Sequence, residues 1–237
     1  LRLVGSEMCI RDSLVKSLAK DKAYGIGTNG EIFDVTFGLY AAEELKAADG
    51  TVIPEGGLLE VIFLDESGHG KAISDLPMGS YYVQEISTNS AYILDDTKYP
   101  VVFEYAGQDT AVVKITANEG ETINNEIIYG SVSGKKSNED GNALGGATIG
   151  IFKTGTTEFT KETAIATTVS AEDGSFSFEK VPYGTWIFRE IESPKGFVLS
   201  EEEIAVTVGK VDEVVEIELV NYLSLIHISE PTRRSYI

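Results

Sequence analysis

Val181-Pro182-Tyr183-Gly184-Thr185-Trp186-Ile187-Phe188-Arg189-Glu190-Ile191-Glu192-Ser193-Pro194-Lys195-Gly196-Phe197 is a turn followed by an alternating strand. Pro-Tyr-Gly marks the turn. Beyond it Trp186, Phe188 and Glu190 share a parity and so one face. Two large aromatics make that face the core side, which carries the Glu190 carboxylate inward. A buried carboxylate without a partner is costly, so it must be protonated or met by another buried polar group. The competing reading of this segment alone places Glu190 at the strand end, at the rim, in solvent.

The segment occurs twice. Leu76-Pro77-Met78-Gly79-Ser80-Tyr81-Tyr82-Val83-Gln84-Glu85 matches Val181 to Glu190 position for position, with Tyr81, Val83 and Glu85 in the places of Trp186, Phe188 and Glu190. Downstream, Ser87 to Leu94 parallels Glu192 to Leu199; upstream, Phe37-Gly38-Leu39-Tyr40 parallels Ile149-Gly150-Ile151-Phe152. A repeat of about a hundred residues is domain-sized, so the chain is a tandem of two domains. A carboxylate recurring in the same core-facing slot weighs against the rim reading.

The 237 residues suit two domains with a core each. Both ends look foreign. Met8-Cys9-Ile10-Arg11-Asp12-Ser13 and Leu223-Ser224-Leu225-Ile226-His227-Ile228 resemble translations of opposite strands of one transposase adapter used in sequencing libraries. The codons CTG TCT CTT ATA CAC ATC encode the second run, and their reverse complement encodes the first. Residues 1–13 and 223–237 are therefore set aside from fold reasoning, and the remainder is expected to be a piece of a longer protein. The only cysteine, Cys9, goes with them, which excludes a disulfide or cysteine metal site elsewhere. His69, in the turn Ser67-Gly68-His69-Gly70, is then the one remaining histidine and reads as solvated surface; no metal or cofactor is expected. The net charge of −19 becomes one unit more negative when the four arginines and three acids of the two ends are removed. Such a chain repels nucleic acid and anionic membrane, and no run is apolar enough to span a bilayer.

Alternation and turn residues give the elements. Leu14 to Asp21 reads as a short helix or a strand. Ile32 to Ala41 reads as a strand through Phe33, Val35, Phe37 and Leu39, followed by Leu58 to Leu64 and Tyr81 to Ile86. Tyr99 to Tyr105 and Ala111 to Ala117 flank Gly107-Gln108-Asp109 as a hairpin. The second copy gives seven short strands, near 131–136, 147–153, 165–169, 175–178, 185–191, 204–208 and 214–220. Short strands, frequent turns and no long helix argue an all-β chain of two tandem β-sandwiches, over 14–128 and 129–222.

Parity in the second copy assembles a constellation. Val132, Gly134 and Lys136 share a face, as do Val215, Ile217, Leu219 and Asn221, so an apolar anchor carries one Lys and one Asn inward beside Glu190. A buried lysine loses its charge readily, and a neutral amine is a nucleophile. A buried glutamic acid that keeps its proton can hydrogen-bond the amide oxygen of Asn, polarise its carbonyl and shuttle the proton. Together the three could yield a Lys–Asn amide and ammonia. Each alone has a plainer reading: a strand-end Lys snorkels, a terminal Asn makes a turn, and parity slips at bulges.

The second domain resembles a Cna B-type domain, the SpaA-like prealbumin fold of Gram-positive surface proteins and pilins. The residues that carry the resemblance are Gly130-Ser131-Val132-Ser133-Gly134-Lys135-Lys136, Glu139-Asp140-Gly141, Gly145-Gly146-Ala147, Ile151-Phe152-Lys153, Asp173-Gly174-Ser175-Phe176, Pro182-Tyr183-Gly184, Glu190 to Phe197, and Val220-Asn221. The resemblance implies an intramolecular isopeptide bond between Lys136 and Asn221, assisted by Glu190, with Lys135 the alternative of opposite parity. The first domain matches more loosely: Glu85 holds the Glu slot, but Asn89 stands where Pro is expected and Ala91 where Gly is expected. There the implied pair is Lys16 and Asn125, with Asn124 the neighbouring alternative.

What this implies is a structural stalk module of a cell-surface protein or pilin, extracellular, tied to the wall through other parts of its parent and in contact with neighbouring domains of the same protein. It would not be an enzyme beyond single-turnover chemistry on itself. The alternative is an adhesin whose exposed face binds a host protein or glycan, with Tyr99, Tyr105 and Tyr129 as candidates. No nucleic acid or membrane partner is expected. A hydrolase working through Glu190 and Glu192 is discounted because the two are assigned to opposite faces.

Overall fold

Strands such as β7, β8, β15 and β16 bury alternate side chains, and in each copy the buried side chains converge between two sheets. The computed structural model describes residues 9–47, 49–74, 76–103 and 112–224. It divides into a first unit, Leu1–Ile127, and a second, Ile128–Ile237. Strands in the first are β1 (Cys9–Leu18), β2 (Thr36–Ala41), β3 (Leu45–Lys46), β4 (Val52–Ile53), β5 (Leu58–Phe63), β6 (His69–Lys71), β7 (Gly79–Ser87), β8 (Tyr99–Phe103), β9 (Val112–Thr116) and β10 (Ile123–Asn125). In the second they are β11 (Tyr129–Asn138), β12 (Thr148–Lys153), β13 (Ala166–Val169), β14 (Ser175–Pro182), β15 (Gly184–Glu192), β16 (Ile204–Val208) and β17 (Val214–Asn221). The chain is all-β, two prealbumin-like sandwiches in tandem.

In the second unit a sheet of order β14-β11-β17 faces one of order β13-β12-β15-β16. Val132, Phe178 and Leu219 from the first sheet meet Ile149, Ile151, Phe188 and Val206 from the other, all buried. Phe178 and Phe188 touch edge to face across the gap, centroids 5.2 Å apart. The first and last strands, β11 and β17, are neighbours and run parallel from Ser131–Val214 to Asn138–Asn221.

The first unit repeats the plan, with β5-β2-β7-β8 as one sheet and β10-β1-β6 as the other, β9 also pairing with β1. Its last strand is broken: β9 runs parallel to Cys9–Ser13, a 3-10 turn over Ala117–Gly120 intervenes, and β10 then runs parallel to Lys16–Leu18. Leu14, Ala117 and Ile123 join Phe37, Leu39, Tyr81 and Val83 in one core.

Three expectations change. Of the two readings of Leu14 to Asp21 the strand holds as far as Leu18, but β1 starts at Cys9, inside the stretch set aside as foreign, because a ladder is made by backbone groups that any extended residue supplies. The expected hairpin around 107–109 is described only in its arms. Its turn lies outside the described residues, and its arms enter different sheets, β8 beside β7 and β9 beside β1. Phe33 does not extend β2, since a 3-10 turn over Glu31–Asp34 follows Gly30 (φ 83°) and leaves Phe33 exposed while Val35, Phe37 and Leu39 are buried.

Candidate functional site

Glu190 is 1% exposed and Asn221 0%, and Lys136 is buried with them. The rim reading of Glu190 is therefore excluded, while Lys135 projects into solvent. The residue facing Lys136 across β11–β17 is Leu219, so Asn221 lies two positions further along the same face. A diagonal neighbour on the same face is within the span of a long side chain such as lysine. Lys136 is itself pinned by Gly174, in the Asp173-Gly174-Ser175 turn. Its N–H donates to the Gly174 carbonyl at 2.7 Å, and the glycine (φ 76°) sits so close that a Cβ there would fall 2.3 Å from the Lys136 carbonyl oxygen.

Alternation carries Glu190 inward, and a bulge follows it. The β12–β15 register slips between the pairs Thr148–Glu192 and Ile149–Glu190. On a regular strand Glu192, two residues on, would share the face of Glu190. The slip is what turns it out to Lys161 (2.8 Å) and the Thr148 hydroxyl (2.9 Å), so the opposite faces of these two carboxylates come from the bulge and not from alternation.

Inside, the Asn221 amide nitrogen donates to Glu190 Oε2 at 2.8 Å and to the Val198 carbonyl at 2.7 Å, and the Ser200 N–H donates to the same Oε2 at 2.8 Å. A backbone carbonyl only accepts, so Val198 fixes which end of the amide is nitrogen. Glu190 thus faces the amide nitrogen; the expectation that it would face the amide oxygen is corrected. Lys136 Nζ stands 3.6 Å from Glu190 Oε1. Lys136 Nζ, Glu190 Oε1 and Asn221 Oδ1 are each buried without a hydrogen-bond partner. Burial holds the Lys136 amine below its ordinary 10.5, the Glu190 charge opposing without offsetting it.

The first unit builds the same cluster. Asn125 lies two positions beyond Ile123, which faces Lys16. Gly68 (φ 80°) presses on the Lys16 carbonyl as Gly174 does on that of Lys136, and the β2–β7 register slips beside Glu85. Asn125 is buried and Asn124 exposed. Lys16 Nζ donates to Asn125 Oδ1 at 2.5 Å and lies 3.5 Å from Glu85 Oε1. The Asn125 nitrogen donates to both Glu85 oxygens (2.9 and 3.0 Å) and to the Thr88 hydroxyl (3.0 Å). The Asp95 N–H donates to Glu85 Oε2 at 2.8 Å. Burial again lowers the Lys16 amine. Thr88, Val198, Gly68 and the bulges were not singled out from sequence as parts of the site. The glycine before the lysine's partner strand was the one visible signal, through its place in Asp173-Gly174-Ser175.

Of the tyrosines considered for adhesion, Tyr99 is half-buried and donates to Asp95 at 2.5 Å, Tyr129 is half-buried, and Tyr105 lies outside the described residues. A further aromatic group lies on the outer face of β5-β2-β7-β8, where Tyr40 and Tyr82 are half-buried. There Tyr40 and Tyr82 stack (5.1 Å), Lys98 covers Tyr82 (4.5 Å), and Phe63 is 71% exposed. His69 is exposed and contacts the Ser67 hydroxyl. Among the described residues, no three His, Cys, Asp or Glu side chains cluster as metal ligands, and no helix is long and apolar enough to cross a membrane.

The SpaA prealbumin-like fold domain family matches residues 28–119 and 130–223. The second span contains Lys136, Glu190 and Asn221; the first contains Glu85 but stops short of Lys16 and Asn125. No curated protein sequence matches the chain. Among solved structures, the Bacillus anthracis TIE protein superposes with a TM-score of 0.61 at 17% identity, over 91% of this chain and 34% of that one. The C-terminal fragment of the pilus adhesin SpaC from Lactobacillus rhamnosus GG gives 0.53 at 13%, over 92% and 98%. A longer SpaC chain gives 0.52 at 13%, over 92% and 31%. The chain thus spans about a third of the TIE protein, and at these identities the likeness is one of fold.

Proposed function

The chain belongs to the SpaA prealbumin-like fold domain family, and from that premise we propose that it is a stalk module of a Gram-positive cell-surface protein or pilin, locked by one self-formed Lys–Asn isopeptide bond in each unit. The observation that carries this reading is the buried cluster of Lys, Asn and Glu in the same register in both units.

Burial favours the neutral amine of Lys136, and a carboxylate oxygen lies 3.6 Å away to take the proton. Nζ adds to Cγ of Asn221, whose carbonyl electrons move to Oδ1. One proton passes from Nζ to Glu190 and one from Glu190 to Nδ2, 2.8 Å away. The carbonyl re-forms as Nδ2 leaves as ammonia. The Nζ–Cγ bond forms, Cγ–Nδ2 breaks, nothing is oxidised, and Glu190 returns to its starting state. The three buried atoms of the second unit without a hydrogen-bond partner are those the reaction engages. Lys16, Glu85 and Asn125 follow the same scheme.

The product is mechanical, and the protein turns over no substrate. Tying a first strand to a last one restricts the unfolded chain as a long-loop disulfide does, by about 4–5 kcal/mol, and no reductant reverses it. Tension between the termini passes through the bond and bypasses the core. Peptide mapping of the full chain after proteolysis tests the reading: linked peptides Lys136–Asn221 and Lys16–Asn125 support it, and recovery of those four residues only in unlinked peptides rejects it.

A second reading, adhesion to a host protein or glycan, is favoured by the half-buried Tyr40–Tyr82 stack under Lys98, with exposed Phe63 further along the same sheet. In the second unit the same face is covered, Phe159 packing on Phe152 (4.9 Å) under Arg189 (4.4 Å). If this face is adhesive, binding to an extracellular-matrix or glycan array disappears in Tyr82→Ala; binding that survives it excludes the face.

A further inference from the structure

The two units hold the departing amide nitrogen differently. In both, one N–H of the asparagine points to the glutamate. In the second unit the other N–H meets a backbone carbonyl, that of Val198, at 2.7 Å. In the first it meets a side chain, the Thr88 hydroxyl, at 3.0 Å. Thr88 occupies the place that Ser193 holds in the repeat, and Ser193 plays no such part, since its hydroxyl donates to the Phe197 carbonyl at 3.1 Å. Beyond the glutamate, therefore, only the first unit has a leaving-group contact to a side chain among the described residues.

We propose that Thr88 is a positioning residue for the first cross-link, which rests on the isopeptide reading above. Its hydroxyl oxygen accepts from Nδ2 and keeps the Asn125 amide turned with nitrogen toward Glu85 and oxygen toward Lys16. Without that hydroxyl the amide nitrogen loses one of the contacts that hold it in place, and the amide is freer to turn. Turned over, it would set its oxygen against the carboxylate and its nitrogen against the amine, where neither proton transfer nor attack proceeds. A hydroxyl also has a proton to give, so it can stay bonded to the nitrogen as that atom passes from amide to ammonia.

The test uses the full chain made by cell-free synthesis, quenched at intervals and proteolysed. The fraction of Lys16–Asn125 linked peptide is read against Lys136–Asn221 as an internal clock. Thr88→Val, nearly isosteric but without the hydroxyl, should slow the first bond about three- to ten-fold, the worth of one hydrogen bond, and leave the second unchanged. Thr88→Ser should restore the wild-type ratio; Thr88→Ala serves in place of valine if that variant does not fold. An unchanged ratio in valine and alanine variants overturns the proposal, as does a serine variant as slow as valine. A wild-type chain that forms the second bond and never the first sinks this inference and spares the general reading. A chain that forms neither sinks both.

Discussion

Asn221 stands two register positions beyond the residue that faces Lys136 across a parallel ladder. Asn125 stands in the same relation to Lys16. Direct opposition would set the two side chains abreast. The diagonal lets a lysine lean along its strand toward the amide, and in the first unit its amine donates to the Asn125 oxygen; the glutamate enters from the opposite sheet.

That relation depends on the glycine behind each lysine. Gly174→Ala puts a Cβ about where the Lys136 carbonyl sits and forces a residue with φ 76° into a region it disfavours. The expected cost is about 1–3 kcal/mol, with a reduced yield of the second cross-link. Thermal unfolding and peptide mapping measure the two effects, and a variant with wild-type yield would remove the glycine from the account.

Glu190→Gln separates shape from proton transfer. Glutamine keeps the volume and a hydrogen-bonding oxygen but cannot carry the proton between Nζ and Nδ2. Bond formation in the second unit should fall by about 10²–10⁴ while the sandwich persists by circular dichroism and the first unit still links. A rate within a few-fold of wild type would exclude the shuttle.

Asn221→Ala leaves Lys136 buried and unlinked, and its amine then reports on stability. The folded value lies below the unfolded 10.5, so between the two the unfolded chain binds the extra proton and stability rises with pH. The burden is full below the lowered folded value and gone above 10.5. Urea midpoints for the second unit of this variant should climb as the pH rises toward 10.5, whereas a linked wild type, its Nζ in an amide, should lack that climb. The variant should also lie about 4–5 kcal/mol below wild type from the lost loop closure alone.

Strand parity made much of the site legible. Trp186, Phe188 and Glu190 are all buried, as the alternation after Pro182-Tyr183-Gly184 requires, and parity separated Asn125 from Asn124 and Lys136 from Lys135. It failed where alternation is interrupted. The bulge beside Glu190 governs where Glu192 points, and no residue type announces a bulge in Ile191. Gly30 starts a turn that detaches Phe33 from the strand it seemed to begin. The pairing of β9 with β1 is a long-range choice that local turn residues do not encode. The orientation of the amide depends on Val198 and Thr88, ten or more positions from any residue that parity could relate to Asn221 or Asn125.

The most direct measurement is the intact mass of the full chain under denaturing conditions. The account predicts a deficit of two ammonias relative to the sequence, one lost when Glu190→Ala is introduced and the other with Glu85→Ala. A mass equal to that of the sequence, with both sandwiches folded, would contradict it.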